Sequence, residues 1–187
     1  MGMSKDNINV EELLAKNPDY KGWLYIEDVV DLPVVQTDNN NYYLNHSFSK
    51  EKNRYGCLFI DKDVQQDSNN LVIHGHNNHN SSMLSRLLNY KKEDFYNEHK
   101  EIEFITKEGL IIKYEIIAVI NFDVSNIKTF NIYSPDIQLP LINKIKENNI
   151  YNPVTSLSED NNFITISTCD TDYYGVNGRI IIIGVEK

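Results

Sequence analysis

Apolar positions along the chain fall into short β-branched and aromatic runs separated by polar, irregular stretches. The first periodic segment is helical. Asn9 is placed as an N-cap with Glu12 three residues on, a capping-box pattern. Leu13 and Leu14 supply an apolar stripe, and Asn17-Pro18 stops the helix. "GWLYI" then reads as a strand and "LPVVQT" as a second, short one with Pro33 at its edge. The polar "DNNNYYLNHSFSKEKNRYG" predicts a loop with one helical turn. "CLFID" and "LVIHGH" have the continuous apolar character of fully buried strands.

Further along, "NSSMLSRLLNYKKEDFYNEH" predicts a helix capped by Ser81 or Ser82, with Met83, Leu84, Leu87 and Leu88 at helical spacing. "EIEFITKEGLIIKYEIIAVINFDV" divides at Lys107-Glu108-Gly109 into a hairpin. "DIQLPLINKIKENNIYN" predicts a helix starting near Pro140, with Leu141, Ile142 and Ile145 on one face. "FITISTC" and "RIIIIGVE" are the last two strands. The total is about eight strands and about three helices. Short turns join most strands, and the helices are inserted rather than alternating with them. That pattern excludes a doubly wound α/β sheet. It predicts a mainly β fold, a closed or nearly closed barrel with an N-terminal helix and peripheral helices. No repeat, low-complexity segment or linker divides the chain. Residues 1–16 are expected to hold a cloning scar, Met1-Gly2-Met3, and the N-terminal helix packed on the barrel; residues 17–187 are expected to form a single domain.

Composition narrows the function classes. A chain of 187 residues, 41% hydrophobic and 24% charged, can bury a core without disulfides or metal. The net charge of −9, from 18 basic and 27 acidic residues, argues against nucleic acid or an anionic membrane surface as the main partner. Cys57 and Cys169 are too few for a disulfide framework. Cys57 lies in "YGCLFI" and reads as a buried, inert thiol. The chain holds no apolar run long enough to span a bilayer, and its start has no signal-peptide h-region. A truncated ectodomain and a cytosolic protein both fit these bulk properties.

The candidate chemistry centres on Cys169, which ends the strand "FITISTC" beside a polar loop. A nucleophilic cysteine requires a base or cation for its thiolate and a donor for the oxyanion it creates. Arg179 opens the final strand after a nine-residue loop. If the two strands pair, the guanidinium lies beside the thiol, and it never deprotonates near neutral pH. His74, His76 and His79 cluster in "LVIHGHNNHN", without the thiolate or carboxylate support of a metal site. His76 follows Gly75 directly after a strand, where a turn presents it to a cleft. His74 reads as a histidine packed on the sheet and His79 as a solvated loop residue, while His46 and His99 have no local context for chemistry. The acidic "DKDVQQDSNN", with Asp61, Asp63 and Asp67, lacks the glycine and glutamate of a calcium loop and reads as solvated.

"TISTC" is similar to the T-L-x-T-C signature of sortases, with Ile166 in the leucine position. The arginine ten residues after the cysteine and the upstream Gly75-His76 match too. "NPDYKGWLYI", "LPVVQTDNNNYYLNHSF" and "NRYGCLFID" resemble the amino-terminal half of class B sortases, as does the helix around 140–149. The resemblance runs from about Asn17 onward, making 17–187 a sortase-type catalytic domain. It implies an eight-stranded sortase-type β-barrel and a cysteine transpeptidase of the Gram-positive cell surface. Such an enzyme cleaves a C-terminal sorting signal after threonine through a thioacyl intermediate and transfers the protein to a peptidoglycan amine. Carried over, Cys169 is the nucleophile, His76 the general acid and base, and Arg179 the oxyanion or carbonyl ligand. Ser167 and Thr168 would line the substrate groove, with Asn45 and Tyr43 as further groove candidates. Asp170 matches an acidic residue often found there in class B enzymes. No cofactor and no metal are implied. The native protein would sit on the extracellular face of the membrane, anchored by a preceding segment absent here. Two other readings stay open on the residues alone: a cysteine protease or amidase that passes its acyl group to water, and a non-catalytic barrel that binds surface peptides.

Overall fold

A computed structural model describes residues 4–78, 82–151 and 156–187. The expectations for Met1-Gly2-Met3, His79 and Ser81 lie outside the described residues. Helix α1 (Val10–Lys16) starts at Asn9, whose side chain accepts the Glu12 N–H at 3.2 Å. It ends at Asn17, whose N–H reaches back to the Leu13 carbonyl. Leu13 alone is buried and packs with Tyr20, Trp23 and Tyr43; Leu14 is exposed, so the apolar stripe is one residue wide.

The remaining elements follow in order. They are β1 (Tyr20–Ile26), β2 (Val30–Val35), β3 (Leu58–Ile60), β4 (Asn70–His74), the two-residue strands β5 (Asn77–Asn78) and β6 (Ser82–Met83), and helix α2 (Glu93–Glu98). Then come β7 (Glu101–Thr106), β8 (Ile111–Asp123), α3 (Leu139–Asn148), β9 (Phe163–Cys169), α4 (Thr171–Tyr174) and β10 (Gly178–Glu186). Eight strands close into a barrel in the order β1-β2-β3-β4-β9-β10-β8-β7. Most neighbours are antiparallel, but β2–β3 and β4–β9 are parallel. Pro33 is tolerated because β3 reaches β2 only at Val34 and Val35, leaving Pro33 paired on one side.

The run of four isoleucines, Ile180 to Ile183, is continuous because both faces of β10 are covered. Ile180 and Ile182 point into the barrel with Leu24, Val34, Ile73 and Ile166. Ile181 and Ile183 face outward and pack with Ile142 and Ile145 of α3. Each such buried side chain contributes roughly 1.5–3 kcal/mol, so this strand is held firmly from both sides.

One expected helix is divided. In place of the single helix expected over "NSSMLSRLLNYKKEDFYNEH", the described residues form the small β5–β6 ribbon, which includes Ser82, a 3-10 stretch over Ser85–Lys91, and then α2. Leu84, Leu87 and Tyr90 are fully buried and recur every third residue, the period of a 3-10 turn rather than of an α-helix. Extended backbone at Lys92 (φ −97°, ψ 125°) separates the two helical pieces. Met83, with φ +57°, cannot start a helix and belongs to the ribbon.

Candidate active site

β9 and β10 pair in antiparallel register, with Cys169 opposite Arg179 and Ser167 opposite Ile181. Alternation places Cys169, Ser167 and Arg179 on the outer face, leaving Ile166 and Ile180 inside. The short loop between these strands therefore delivers both residues to one end of the barrel.

The histidine arrives by a different route. β4 runs parallel to β9, with His74 alongside Ser167. The chain then continues along β9 through three bonds. Gly75 N–H donates to the Ser167 carbonyl at 3.3 Å. The Thr168 hydroxyl donates to the Gly75 carbonyl at 2.8 Å. The Asn77 side-chain amide donates to the Cys169 carbonyl at 3.0 Å. Glycine suits position 75, because a Cβ there would lie 2.4 Å from Leu58 Cδ2 and 2.9 Å from Leu84 Cδ1, and both buried leucines would have to shift. That close approach lets the backbone turn against the core and present His76.

His76 Nε2 lies 2.6 Å from the Leu44 carbonyl oxygen. A carbonyl only accepts, so Nε2 carries the proton and Nδ1 is the basic nitrogen of the neutral ring. Leu44 ends the 3-10 turn Tyr42–Leu44 in the long polar loop. Arg179 donates from Nη1 to the carbonyls of Val176 at 3.1 Å and Gly178 at 2.7 Å, so its guanidinium is oriented by the loop that precedes it.

His76, Cys169 and Arg179 all line one cleft of about 430 Å³, together with Leu44, Val124, Tyr133, Ser167 and Thr168. At its floor a polar network runs under the apolar walls. The Tyr133 hydroxyl and Ser167 Oγ are 2.9 Å apart, and Tyr133 lies edge-on to the His74 ring. Burial pushes the Tyr133 phenol up, so it stays protonated as a hydrogen-bonding group. His74 Nε2 is 2.9 Å from Asp61 Oδ2, which also receives the Asn40 amide at 2.9 Å. Burial alone would raise the Asp61 carboxyl, but bonds from His74, the Asp63 N–H and Asn40 outweigh it and hold the group below its ordinary range.

The remaining sequence candidates fall in different places. Tyr43 is 1% exposed, with its hydroxyl bonded to Asn17 and Asp19; it props the polar loop against the core and does not line the cleft. Asn45 is exposed just past Leu44, also outside the cleft lining, and its carbonyl receives the Asn53 N–H. Thr168 borders the cleft, yet its hydroxyl is spent on Gly75, so it holds the histidine turn. Asp61 departs from the expected solvated loop, being 7% exposed and bonded to His74; Asp63 and Asp67 are exposed. Cys57 is buried, and desolvation pushes its thiol up to about 12. Among the described residues no three His, Cys, Asp or Glu side chains gather as a metal site.

Tyr133, Leu44 and Asn77 were not singled out in the sequence. Their only local signal is a tyrosine in "NIYSPD", a leucine ending a helical turn, and an asparagine after Gly-His. None of these is periodic or part of the signature.

The eight-stranded barrel is that of a sortase. A Sortase domain model matches residues 24–187, and the chain belongs to that family. Within it, the chain is a class B sortase and a transpeptidase. It is 30% identical to Sortase B of Listeria monocytogenes over 185 residues, spanning 94% of this chain and 72% of that protein. The X-ray structure of Clostridium perfringens sortase B superposes with a TM-score of 0.88 at 28% identity, covering 96% of this chain and 100% of the other. A Staphylococcus aureus sortase B–substrate complex superposes at 0.83 with 25% identity, covering 95% and 84% of the two chains. Among the described residues no helix is long and apolar enough to cross a membrane.

Proposed function

We propose that the chain cleaves a sorting signal after threonine and joins the new carboxyl end to an amine of peptidoglycan, with Cys169, His76 and Arg179 as its catalytic residues. The observation that carries this reading is the cross-strand pairing of Cys169 with Arg179 in a cleft that His76 also lines. The substrate complex of the Staphylococcus aureus relative supports a peptide as the ligand.

The Cys169 thiol gives its proton to Nδ1 of His76, and its sulfur attacks the carbonyl carbon of the scissile bond. The developing oxyanion meets the guanidinium of Arg179, whose Nη1 is anchored on the carbonyls of Val176 and Gly178. As the tetrahedral adduct collapses, the carbon–nitrogen bond breaks and His76 protonates the departing amine. A thioester to Cys169 results. The acceptor amine then attacks that thioester, His76 takes the amine's proton, and the sulfur leaves. One histidine acts in turn as base and as acid, which the proton fixed at Nε2 by Leu44 permits, because Nδ1 remains to exchange. Ser167, held by Tyr133, and the apolar walls at Leu44 and Val124 contact the peptide. With peptidoglycan as the acceptor, the enzyme works at the outer face of a Gram-positive cell.

The test is a panel of threonine-containing sorting pentapeptides incubated with the enzyme and read by mass spectrometry, with and without candidate amines. A new amide product that disappears in Cys169→Ala is the expected result. Hydrolysis unaffected by any amine would instead support an amidase, and cleavage by Cys169→Ala would remove the assigned nucleophile.

A further inference from the structure

We propose that Lys91 is a positioning residue for this reaction: its ammonium neutralises the Asp170 carboxylate beside the nucleophile and anchors the loop that orients Arg179. The proposal rests on the reading of Cys169 as nucleophile.

Asp170 directly follows Cys169 and is 2% exposed, an unusual place for a carboxylate. Its side chain does two things. It caps α4 by accepting the Asp172 N–H at 3.2 Å, and it pairs with Lys91 Nζ at 2.6 Å. Lys91 comes from a distant element, the end of the 3-10 stretch whose Leu87 and Tyr90 are sunk in the core. Its ammonium also reaches Asp172 at 2.8 Å and lies 5.2 Å from the centre of the Tyr173 ring. Burial by itself would weaken the ammonium, but the two carboxylates outweigh it and keep the group charged. The ion pair thus ties the loop after Cys169 to the 3-10 stretch, which Leu87 and Tyr90 fix in the core.

The loop has little freedom of its own to spare. Asp170 N–H bonds the Gly178 carbonyl at 3.0 Å, and a Cβ on residue 178 would lie 1.9 Å from the Asp170 carbonyl oxygen. The two loop ends therefore touch, and only glycine fits. Beyond them, Val176 and Gly178 supply the carbonyls that hold Arg179. A continuous path of contacts leads from Lys91 through Asp170 and the loop to the guanidinium.

The ion pair also acts on the thiol through its charges. A carboxylate next to a thiol disfavours the thiolate, and a nearby ammonium favours it. The groups that share the cleft with Cys169 are Arg179 on β10, His76 after β4, and Tyr133 with the His74–Asp61 pair; Asp170 and Lys91 lie outside its lining and act on the thiol from the neighbouring position in the chain. Against that constant background, Lys91 and Asp170 act as opposite charges. Removing one exposes the other, and removing both returns the balance.

The experiment is the rate of Cys169 alkylation by iodoacetamide across pH, followed by intact mass at low salt. It requires no peptide, and buried Cys57 does not compete. Lys91→Met is expected to move the profile to higher pH by about half a unit, a roughly threefold slower reaction near neutrality. Asp170→Asn moves it to lower pH. The double variant returns towards wild type, and Lys91→Arg stays close to it. In the peptide assay, Lys91→Met lowers kcat with little change in KM. Single variants that shift the profile the same way, or a double variant that does not return, overturn the proposal. Thermal unfolding reports whether each variant folds, and Lys91→Gln supplies the same comparison if Lys91→Met does not. Peptide cleavage surviving in Cys169→Ala would overturn the nucleophile assignment while leaving these shifts in place.

Discussion

Cys169 and Arg179 are cross-strand partners at the end of β9 and β10, and the guanidinium is oriented by the carbonyls of Val176 and Gly178 rather than by the thiol. A side chain held in place before the substrate arrives costs nothing to reorganise when charge develops. Arg179→Ala is expected to lower kcat by about 10²–10³-fold. Arg179→Lys restores the charge but not the planar fork, and recovers only part of that loss. Steady-state cleavage of a sorting peptide, with circular dichroism to verify the fold, measures both.

His76 is expected to behave as a proton carrier fixed in one tautomer. Its Nε2–H is committed to Leu44, which leaves Nδ1 as the nitrogen that exchanges protons with the substrate. His76→Ala should reduce turnover by about 10²–10⁴-fold. Nitrogen NMR on labelled histidine should report Nε2–H as the neutral form at high pH. A neutral ring protonated at Nδ1 would contradict this bond.

The two cysteines should differ sharply in reactivity. Cys169 is partly exposed in the cleft, whereas Cys57 is buried with its thiol pushed up to about 12. Under native conditions at neutral pH, iodoacetamide is expected to add once, at Cys169. In denaturant it should add twice. Peptide mapping after labelling identifies the site, and native labelling of Cys57 would show that the segment entering β3 opens.

The Asp61–His74 pair predicts an acid-side loss of stability. The folded Asp61 carboxyl lies below its unfolded range, so its contribution is complete above about pH 4 and fades as pH falls through the lower folded value. Asp61→Asn removes a charge-assisted bond and leaves His74 short of a partner, at a cost of about 2 kcal/mol. That corresponds to a fall in Tm of roughly 4–8 °C at pH 7 for a chain of this size. The difference between variant and wild type should shrink as pH drops, which thermal unfolding at several pH values tests.

Tyr133 and Ser167 should be energetically coupled through their 2.9 Å hydroxyl contact. Tyr133→Phe and Ser167→Ala are each expected to raise KM for the peptide several-fold, by about 1 kcal/mol. The double variant should lose less than the sum, because each single change already breaks the shared bond. Additive losses would mean that the two hydroxyls act on the peptide independently.

Much of the barrel was legible along the chain. Alternating or continuous apolar runs marked the eight barrel strands, and Asn9 and Asn17 bounded α1, because strand periodicity and capping are local properties. The 85–98 region was misjudged for a physical reason. Leu84, Leu87 and Tyr90 satisfy a helical template, but burial at every third residue selects a 3-10 turn, and only the core they fill decides between the two periods.

The site divides along the same line. Sequence by itself determined that Cys169 ends one strand and Arg179 opens the next across a short loop; the structure then pairs them in antiparallel register. It also marked Gly75-His76 as a turn at a strand's end. Tertiary structure alone decided that β4 lies parallel to β9 and brings His76 to the same cleft, a pairing across more than ninety residues that no local pattern encodes. It decided too that Tyr43 is buried, that Tyr133 forms a wall, and that Lys91 meets Asp170. Those outcomes depend on distances in the folded chain, where a side chain's partner is set by packing rather than by its neighbours in sequence.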